Sequence, residues 1–235
     1  MTAAEPFTIN KARISDQVYE YLRREILTGR IAPGQRLNLE ELVGRLKISK
    51  MPVKEAVGRL AVDGLLDVQA QRGTFVSQVD PRELQETFAV RCALEVLAGE
   101  LAVGRIQKGE LARLNKLIAE MEQSTGQPDV GRHLELNFQF HSLLVELSEN
   151  RKLIELYHRL RTPIQIAGIH YRSATWVNRV AQEQKEHRAI VRALQQKDAE
   201  AVARAIREHL KRGGASLLED VKRSLKQGSP GMEIQ

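Results

Sequence analysis

Only one short stretch of this chain reads as β-structure, and its place in the order of elements constrains the fold more than any other feature. Leu65-Leu66-Asp67-Val68 and Thr74-Phe75-Val76 are separated by a polar turn, Gln69 to Gly73, which predicts two short strands around a glycine-bearing loop. Three short helical patterns stand directly before this hairpin. From Ile14 to Leu27 the apolar positions Ile14, Val18, Tyr21, Leu22 and Ile26 recur at helical spacing, until Thr28-Gly29 stops them. A turn through Ala32-Pro33-Gly34 leads to Asn38, with Glu41 three residues on, a capping-box spacing that predicts a second helix over Leu39 to Leu46. Ser49 can cap a third helix, which carries Pro52 in its first turn and buries Val53, Val57, Leu60 and Ala61 before Gly64 ends it. Three helices followed by a hairpin predict a winged helix-turn-helix over residues 12–78.

The chain changes character behind the hairpin. Asp80-Pro81 with Glu83 is a helix start, with a capping side chain, a proline at the first helical position and an acid at the third. A domain boundary is therefore placed at residues 77–80. Residues 80–226 read as helical throughout, with breaks near Lys108-Gly109, at Ser124 to Asp129, near Glu149-Asn150, at Thr162-Pro163, around Ser173 and at Lys197-Asp198. An all-α bundle of six or seven helices follows from that count. Residues 1–11 and 227–235 lack periodicity and read as disordered ends.

Composition limits the function classes. A length of 235 residues suits two small domains, and a net charge of +6 favours an acidic partner. The bases are concentrated where they matter: Arg45, Lys47, Lys50, Lys54 and Arg59 face a single acid, Glu55. A lone cysteine, Cys92, excludes an internal disulfide framework and a cysteine-rich zinc knuckle, and fits a reducing, cytoplasmic interior. No secretory leader and no long apolar run is visible, so no membrane partner is expected.

A helix whose N-terminal residues point outward can enter the major groove of DNA while the helix before it crosses the backbone. Lys50 and Lys54 lie one turn apart with Ser49 at the tip, and Val53, Val57 and Leu60 face the other way. The bland alternative for such a stripe is a solvated helix face. The order of motifs goes further. Ile26-Leu27-Thr28-Gly29-Arg30-Ile31-Ala32-Pro33-Gly34-Gln35-Arg36-Leu37, then Ile48-Ser49-Lys50-Met51-Pro52-Val53-Lys54-Glu55-Ala56, then Leu60, Gly64-Leu65 and Arg72-Gly73-Thr74-Phe75-Val76 resemble the GntR winged helix-turn-helix. The resemblance implies that Arg36, Ser49, Lys50, Lys54 and Gly73 contact double-stranded operator DNA, with Arg72 a further candidate. The family usually writes arginine where this chain has Lys50 and Lys54. A guanidinium fork meets both guanine acceptors in one plane and an ammonium does not, so phosphate neutralisation survives the change better than base selection.

Of the six histidines, three lie on apolar helical faces of the second domain: His141 with Leu134, Phe138, Leu144 and Val145; His187 with Ile190, Val191 and Leu194; His209 with Val202, Ala205 and Ile206. A single inward histidine is ordinarily a hydrogen-bonded core residue. Asn137 stands one turn before His141, so its amide oxygen and an imidazole can converge on one point. Neutral imidazoles suit zinc, nickel or iron, and an amide oxygen is a weaker ligand. Asn137-Phe138-Gln139-Phe140-His141, Glu186-His187-Arg188-Ala189-Ile190 with Ala193-Leu194, and Asp198 to Ala201 leading to His209-Leu210 also resemble the FCD ligand-binding domain of the FadR subfamily. In metal-containing members of that subfamily the positions of Asn137, His141, His187 and His209 bind a divalent cation such as zinc, nickel or manganese, the first being often an aspartate. A metal-free polar pocket is the alternative. Arg91 matches an arginine that can hold an anionic effector in that domain; the competing reading is a surface pair with Glu95, worth ~0.3–0.5 kcal/mol. His133, His158 and His170 have no comparable setting and read as structural or exposed.

Three functions remain open on this reading. The first is a homodimeric regulator, a repressor by preference, that binds operator DNA and answers to a small carboxylate, with no metal needed for DNA binding itself. The second is a metal-dependent enzyme, against which stand the missing His-Glu-x-x-His signature and the position of Glu186 and Glu208, each turned about 100° from its neighbouring histidine. No catalytic residue is assigned. The third is a structural DNA-binding protein with no effector.

Overall fold

The computed structural model describes residues 14–123, 129–173 and 176–227. Helix α1 runs Ile14–Leu27 and buries Val18, Leu22 and Ile26, one residue per turn on the face the spacing predicts. Asn38 caps α2 (Leu39–Leu46), its side chain accepting from the Glu40 and Glu41 amides. Lys47, in the left-handed region at φ 52°, ends it. Ser49 stands at the N-cap of α3 (Lys50–Val62) with an extended backbone, but its side chain makes no capping bond, contrary to expectation. Its hydroxyl is left at the exposed tip of the helix.

The expected hairpin is present as β2 (Leu66–Gln69) and β3 (Gly73–Val76), and a third strand, β1 (Arg36–Leu37), joins it in the order β1-β3-β2. Both pairings are antiparallel, with Arg36 opposite Phe75 and Val68 opposite Thr74. A strand of two residues has no period to read, which is why β1 left no trace in the sequence pattern.

Seven helices follow among the described residues: α4 (Pro81–Ala102), α5 (Lys108–Gln123), α6 (Val130–Glu146), α7 (Arg151–Arg159), α8 (Arg161–His170), α9 (Val177–Gln196) and α10 (Ala199–Lys226). Asp80, Asp129, Asn150 and Asp198 cap α4, α6, α7 and α10 with side-chain oxygens. Two expected breaks move. Lys108 and Gly109 open α5 rather than interrupt the chain, because Glu110 reaches back to the Gln107 amide and the turn lies before them. Pro163 sits in the first turn of α8, where a missing N–H is harmless, so the break falls at Leu160. The break at 124–129 lies mostly outside the described residues, as do residues 1–11 and 228–235; Gln227 is the C-cap of α10.

Packing joins the two parts of the chain. Ile166, Ala167 and Tyr171 around α8, and Leu217 and Val221 of α10, belong to the same apolar cluster as Leu22, Ile26, Val53 and Leu60. His170 Nε2 donates to the Ile26 carbonyl at 2.9 Å, tying α8 to the end of α1. A second cluster fills the bundle around Phe140, Leu144, Ile190 and Ile206. There α4 and α10 meet closely at Gly99, where a Cβ would lie 2.6 Å from Val202 Cγ1.

Candidate nucleic-acid interface and metal centre

On α3, Val53, Ala56, Val57 and Leu60 are buried, while Ser49, Lys50, Met51 and Lys54 are exposed around its first turn. The basic stripe divides in two. Arg45 donates to the Tyr21 hydroxyl at 2.7 Å, and Arg59 pairs with Asp16 while its guanidinium lies 4.4 Å over the Tyr19 ring. These two arginines hold α1 to α2 and α3. Lys50 lies 3.4 Å from Glu40 at the start of α2, an exposed pair that water can open.

At the wing, Gly73 has φ 117°, and a Cβ there would lie 2.9 Å from Arg36 Nε. Arg36 therefore rests on the wing glycine, with exposed Arg72 beside it. The six positions singled out for DNA form two groups, Ser49, Lys50 and Lys54 at the helix tip and Arg36, Arg72 and Gly73 at the wing. Met51, 73 % exposed in the same first turn, was missed by sequence reasoning. Its signal was its place two residues before buried Val53, hence about 200° round the helix on the outer side.

In the bundle, α6, α9 and α10 bring His141, His187 and His209 together, with one ring nitrogen of each within 4.8 Å of the others. All three are buried. Each ring is held from behind through Nδ1: His141 by Glu95 Oε2 at 2.7 Å, His209 by Glu186 Oε2 at 2.9 Å, and His187 by Gln184 Oε1 at 3.1 Å. An ionised carboxylate only accepts, so Nδ1 donates in both His141 and His209, and in the neutral His141 ring Nε2 keeps its lone pair. The Nε2 atoms of His141 and His209 are 3.2 Å apart, and His187 Nε2 is buried with no hydrogen-bond partner.

The electrostatics keep His141 and His187 neutral. Burial, helped by Arg91, pulls His141 down to about 4 against the opposing pull of Glu95. Burial and the neighbouring His209 and His141 hold His187 well below the ordinary histidine value. Burial would raise the Glu95 carboxyl, but Arg91 and His141 bring it down to about 2; for Glu186, bonds from His209 and Arg212 do the same, also to about 2. Two ionised carboxylates therefore stand behind the imidazoles of His141 and His209, the usual outer arrangement of a histidine metal site.

Asn137, one turn before His141, donates Nδ2 to Glu183 Oε1 at 2.7 Å. Arg91 is not in a surface pair. Its Nε donates to Glu95 Oε1 at 2.6 Å with both side chains buried, so Glu95 links Arg91 to His141. Arg91 and Asn137 also line one small cavity of about 30 Å³ with Phe138, Tyr157, Arg161 and Gln165. Of the remaining histidines, His133 is buried against Glu183 at 3.0 Å and His170 holds Ile26, while His158 is exposed. Gln184 and Glu183 went unread in the sequence, and Glu95 and Glu186 were read without their histidine partners. Glu95 was marked by its i,i+4 spacing from Arg91, and Glu186, turned away from His187 on its own helix, faces His209 on the next.

Comparison with known proteins decides the family. Residues 86–212 match the FCD domain, and residues 14–76 match the bacterial regulatory proteins of the gntR family. The chain belongs to the FCD-containing gntR regulators. This regulator is 27% identical over 197 residues to the HTH-type transcriptional repressor RspR of Escherichia coli (strain K12), covering 84% of this chain and 86% of that protein. It is 31% identical over 195 residues to the uncharacterized HTH-type transcriptional regulator YdhC of Bacillus subtilis (strain 168), covering 82% and 86%. The solved structure of Escherichia coli McbR/YncC superposes with a TM-score of 0.75 at 25% identity, covering 89% of this chain and 99% of that one. A gntR-family regulator is a DNA-binding transcription factor, so the enzyme reading falls away. Among the described residues no helix of this regulator is long and apolar enough to cross a membrane.

Proposed function

We propose that this regulator, acting as a cytoplasmic homodimer, represses transcription by holding operator DNA with Ser49, Lys50 and Lys54 in the major groove and Arg36, Arg72 and Gly73 at the wing. Ser49, Lys50 and Lys54 at the tip of α3 and Arg36 and Arg72 at the wing are exposed, and RspR, a similar protein, carries the name of a repressor. Its two-domain division falls at residues 77–80, between the wing and the Asp80 cap. A two-fold protein suits a palindromic operator, with half-sites one helical turn apart or a multiple of it.

The bundle, on this reading, holds a divalent cation through His141, His187, His209 and Asn137. One observation carries it: three buried imidazoles bring one ring nitrogen each within 4.8 Å of the others while their Nδ1 atoms are each held from behind. The Nε2 atoms of His141 and His209 face each other at 3.2 Å, a separation that calls for a proton or a cation between them. Nitrogen ligands of this kind fit zinc or nickel best, with manganese the harder alternative. The bound cation would supply a Lewis-acid contact for an anion.

A small carboxylate is the effector that suits the neighbouring cavity, whose lining includes both Arg91 and Asn137. The cavity has room for a water or two, so an organic acid enters by displacing side chains. Its effect on DNA binding equals its preference for one arrangement of the two parts over the other. Fluorescence anisotropy on DNA flanking the gene, with a salt series, a chelator and a panel of carboxylic acids, tests the whole reading. The expected result is a specific complex that weakens or tightens with an acid and changes on chelation. Binding no tighter than to competitor DNA overturns the regulator reading, and a complex indifferent to every acid and chelator overturns the effector and metal parts.

A further inference from the structure

We infer that Glu183 is a positioning residue that fixes which end of the Asn137 amide faces the three histidines. The inference rests on the metal reading of that site. Four side chains are stacked in two layers. His141 on α6 and His187 on α9 face each other with ring centroids 5.3 Å apart. One turn earlier on the same two helices, Asn137 Nδ2 meets Glu183 Oε1 at 2.7 Å. One turn earlier again on α6, His133 Nε2 meets the same oxygen at 3.0 Å.

The chemistry of that oxygen makes the choice. Only the oxygen of an asparagine amide can ligate a cation, and the two ends of the amide differ little in shape. An ionised carboxylate accepts and cannot donate, so it selects the NH₂ end and rejects the carbonyl end by like-charge repulsion. With Nδ2 committed to Glu183, Oδ1 is the end of the amide left available to the histidine side. Glu183 is itself fixed: it is buried, accepts from His133, and feels the Arg172 charge. Glu183 thereby does for Asn137 what Glu95 and Glu186 do for His141 and His209, standing one hydrogen bond behind a ligand and setting its orientation.

A neutral amide at position 183 can offer either an oxygen or an NH₂, so Glu183→Gln releases the choice, and Glu183→Leu offers neither. The test uses the full-length protein. Zinc and manganese affinities are measured by competition with a chromogenic chelator for the native protein, Glu183→Gln, Asn137→Ala and the double variant, with circular dichroism melts to show that each folds. Loss of an outer partner typically weakens a metal site 10- to 100-fold, so Glu183→Gln is expected to lower affinity about tenfold in the native background and less than about twofold beside Asn137→Ala. Equal weakening in both backgrounds means that Glu183 acts through its field alone, and overturns the inference; so does no weakening in either.

A second measurement needs no metal. In protein stripped with chelator and labelled with ¹⁵N-asparagine, the Asn137 side-chain NH₂ signals, identified by their loss in Asn137→Ala, should exchange slowly in the native protein and fast in Glu183→Gln and Glu183→Leu. Exchange unchanged by either substitution overturns the inference. Native protein that binds neither metal, with the slow signals present, overturns the metal reading and leaves the amide lock standing.

Discussion

Lys54 and Lys50 look alike in the sequence and should not behave alike on DNA. Lys54 is exposed on the outer face of α3, whereas Lys50 lies 3.4 Å from Glu40 and must leave that carboxylate to reach a phosphate. Each phosphate neutralised by a lysine contributes about 0.9 to the slope of log affinity against log salt. Removing Lys54 should therefore lower the slope by about 0.9, so that the ratio of native to Lys54→Ala affinity falls about 3.5-fold between 50 and 200 mM salt. The Lys50–Glu40 pair is well exposed on both sides, a setting in which such pairs contribute about 0–1 kcal/mol. Glu40→Gln releases Lys50 and is expected to tighten DNA binding by up to about fivefold, the equivalent of that upper value. Anisotropy titrations over a salt series, on one operator fragment and one unrelated fragment, give all three numbers. A slope unchanged by Lys54→Ala removes this helix tip from the phosphate contacts. A Glu40→Gln protein that binds more weakly would show that the pair organises the tip instead of restraining it.

Other perturbations reach the rest of the molecule. Gly99→Ala places a methyl group 2.6 Å from Val202 Cγ1 and 2.7 Å from Ile206 Cδ1, an overpacking that should cost about 1–3 kcal/mol; urea unfolding with an unchanged midpoint would show that α4 and α10 can part. His170→Ala removes the bond to the Ile26 carbonyl and should loosen the junction by about 1–3 kcal/mol. Faster tryptic cleavage at Arg72 or Arg82, which flank the segment between the wing and α4, is the expected sign, and native-like resistance would contradict it. The His141 imidazole is depressed to about 4 by burial, so the unfolded chain binds the proton more readily. In metal-free protein the stability that His141 contributes is whole above about pH 6.5 and is lost as pH falls toward 4; a melting temperature flat across that window would refute the neutral assignment.

What could be read in the sequence was local. The 3.6-residue spacing of Val18, Leu22 and Ile26 placed α1, and Asn38 and Asp80 marked helix starts because a short polar side chain before an apolar pattern has a definite local task. The inward histidines followed from the same periodicity. The partners that define their chemistry did not, because Glu95 lies 46 residues from His141, Glu186 lies 23 from His209, and Glu183 lies 46 from Asn137. Spacing on one helix says nothing of which other helix will face it. Arg91 shows the cost of that blindness: its i,i+4 neighbour Glu95 suggested a surface pair, whereas packing of α6 over α4 buries both and turns the pair into a support for His141. Ser49 errs in the other direction, since its sequence promised a cap and its hydroxyl was left free for a partner outside the chain.

Helix α10 carries a last consequence. His209 stands near its middle, and Leu217 and Val221, two and three turns on, lie in the apolar cluster that also holds the DNA-reading helix. The same continuous rod thus serves the histidine cluster and the seat of the winged domain, and from His209 to Val221 it measures about 18 Å. A tilt of 3° about the His209 end would carry the far end about 1 Å, roughly the scale on which a helix tip gains or loses a hydrogen bond in a DNA groove. Leverage, rather than a relay of separate contacts, is what this geometry offers for joining its two ends.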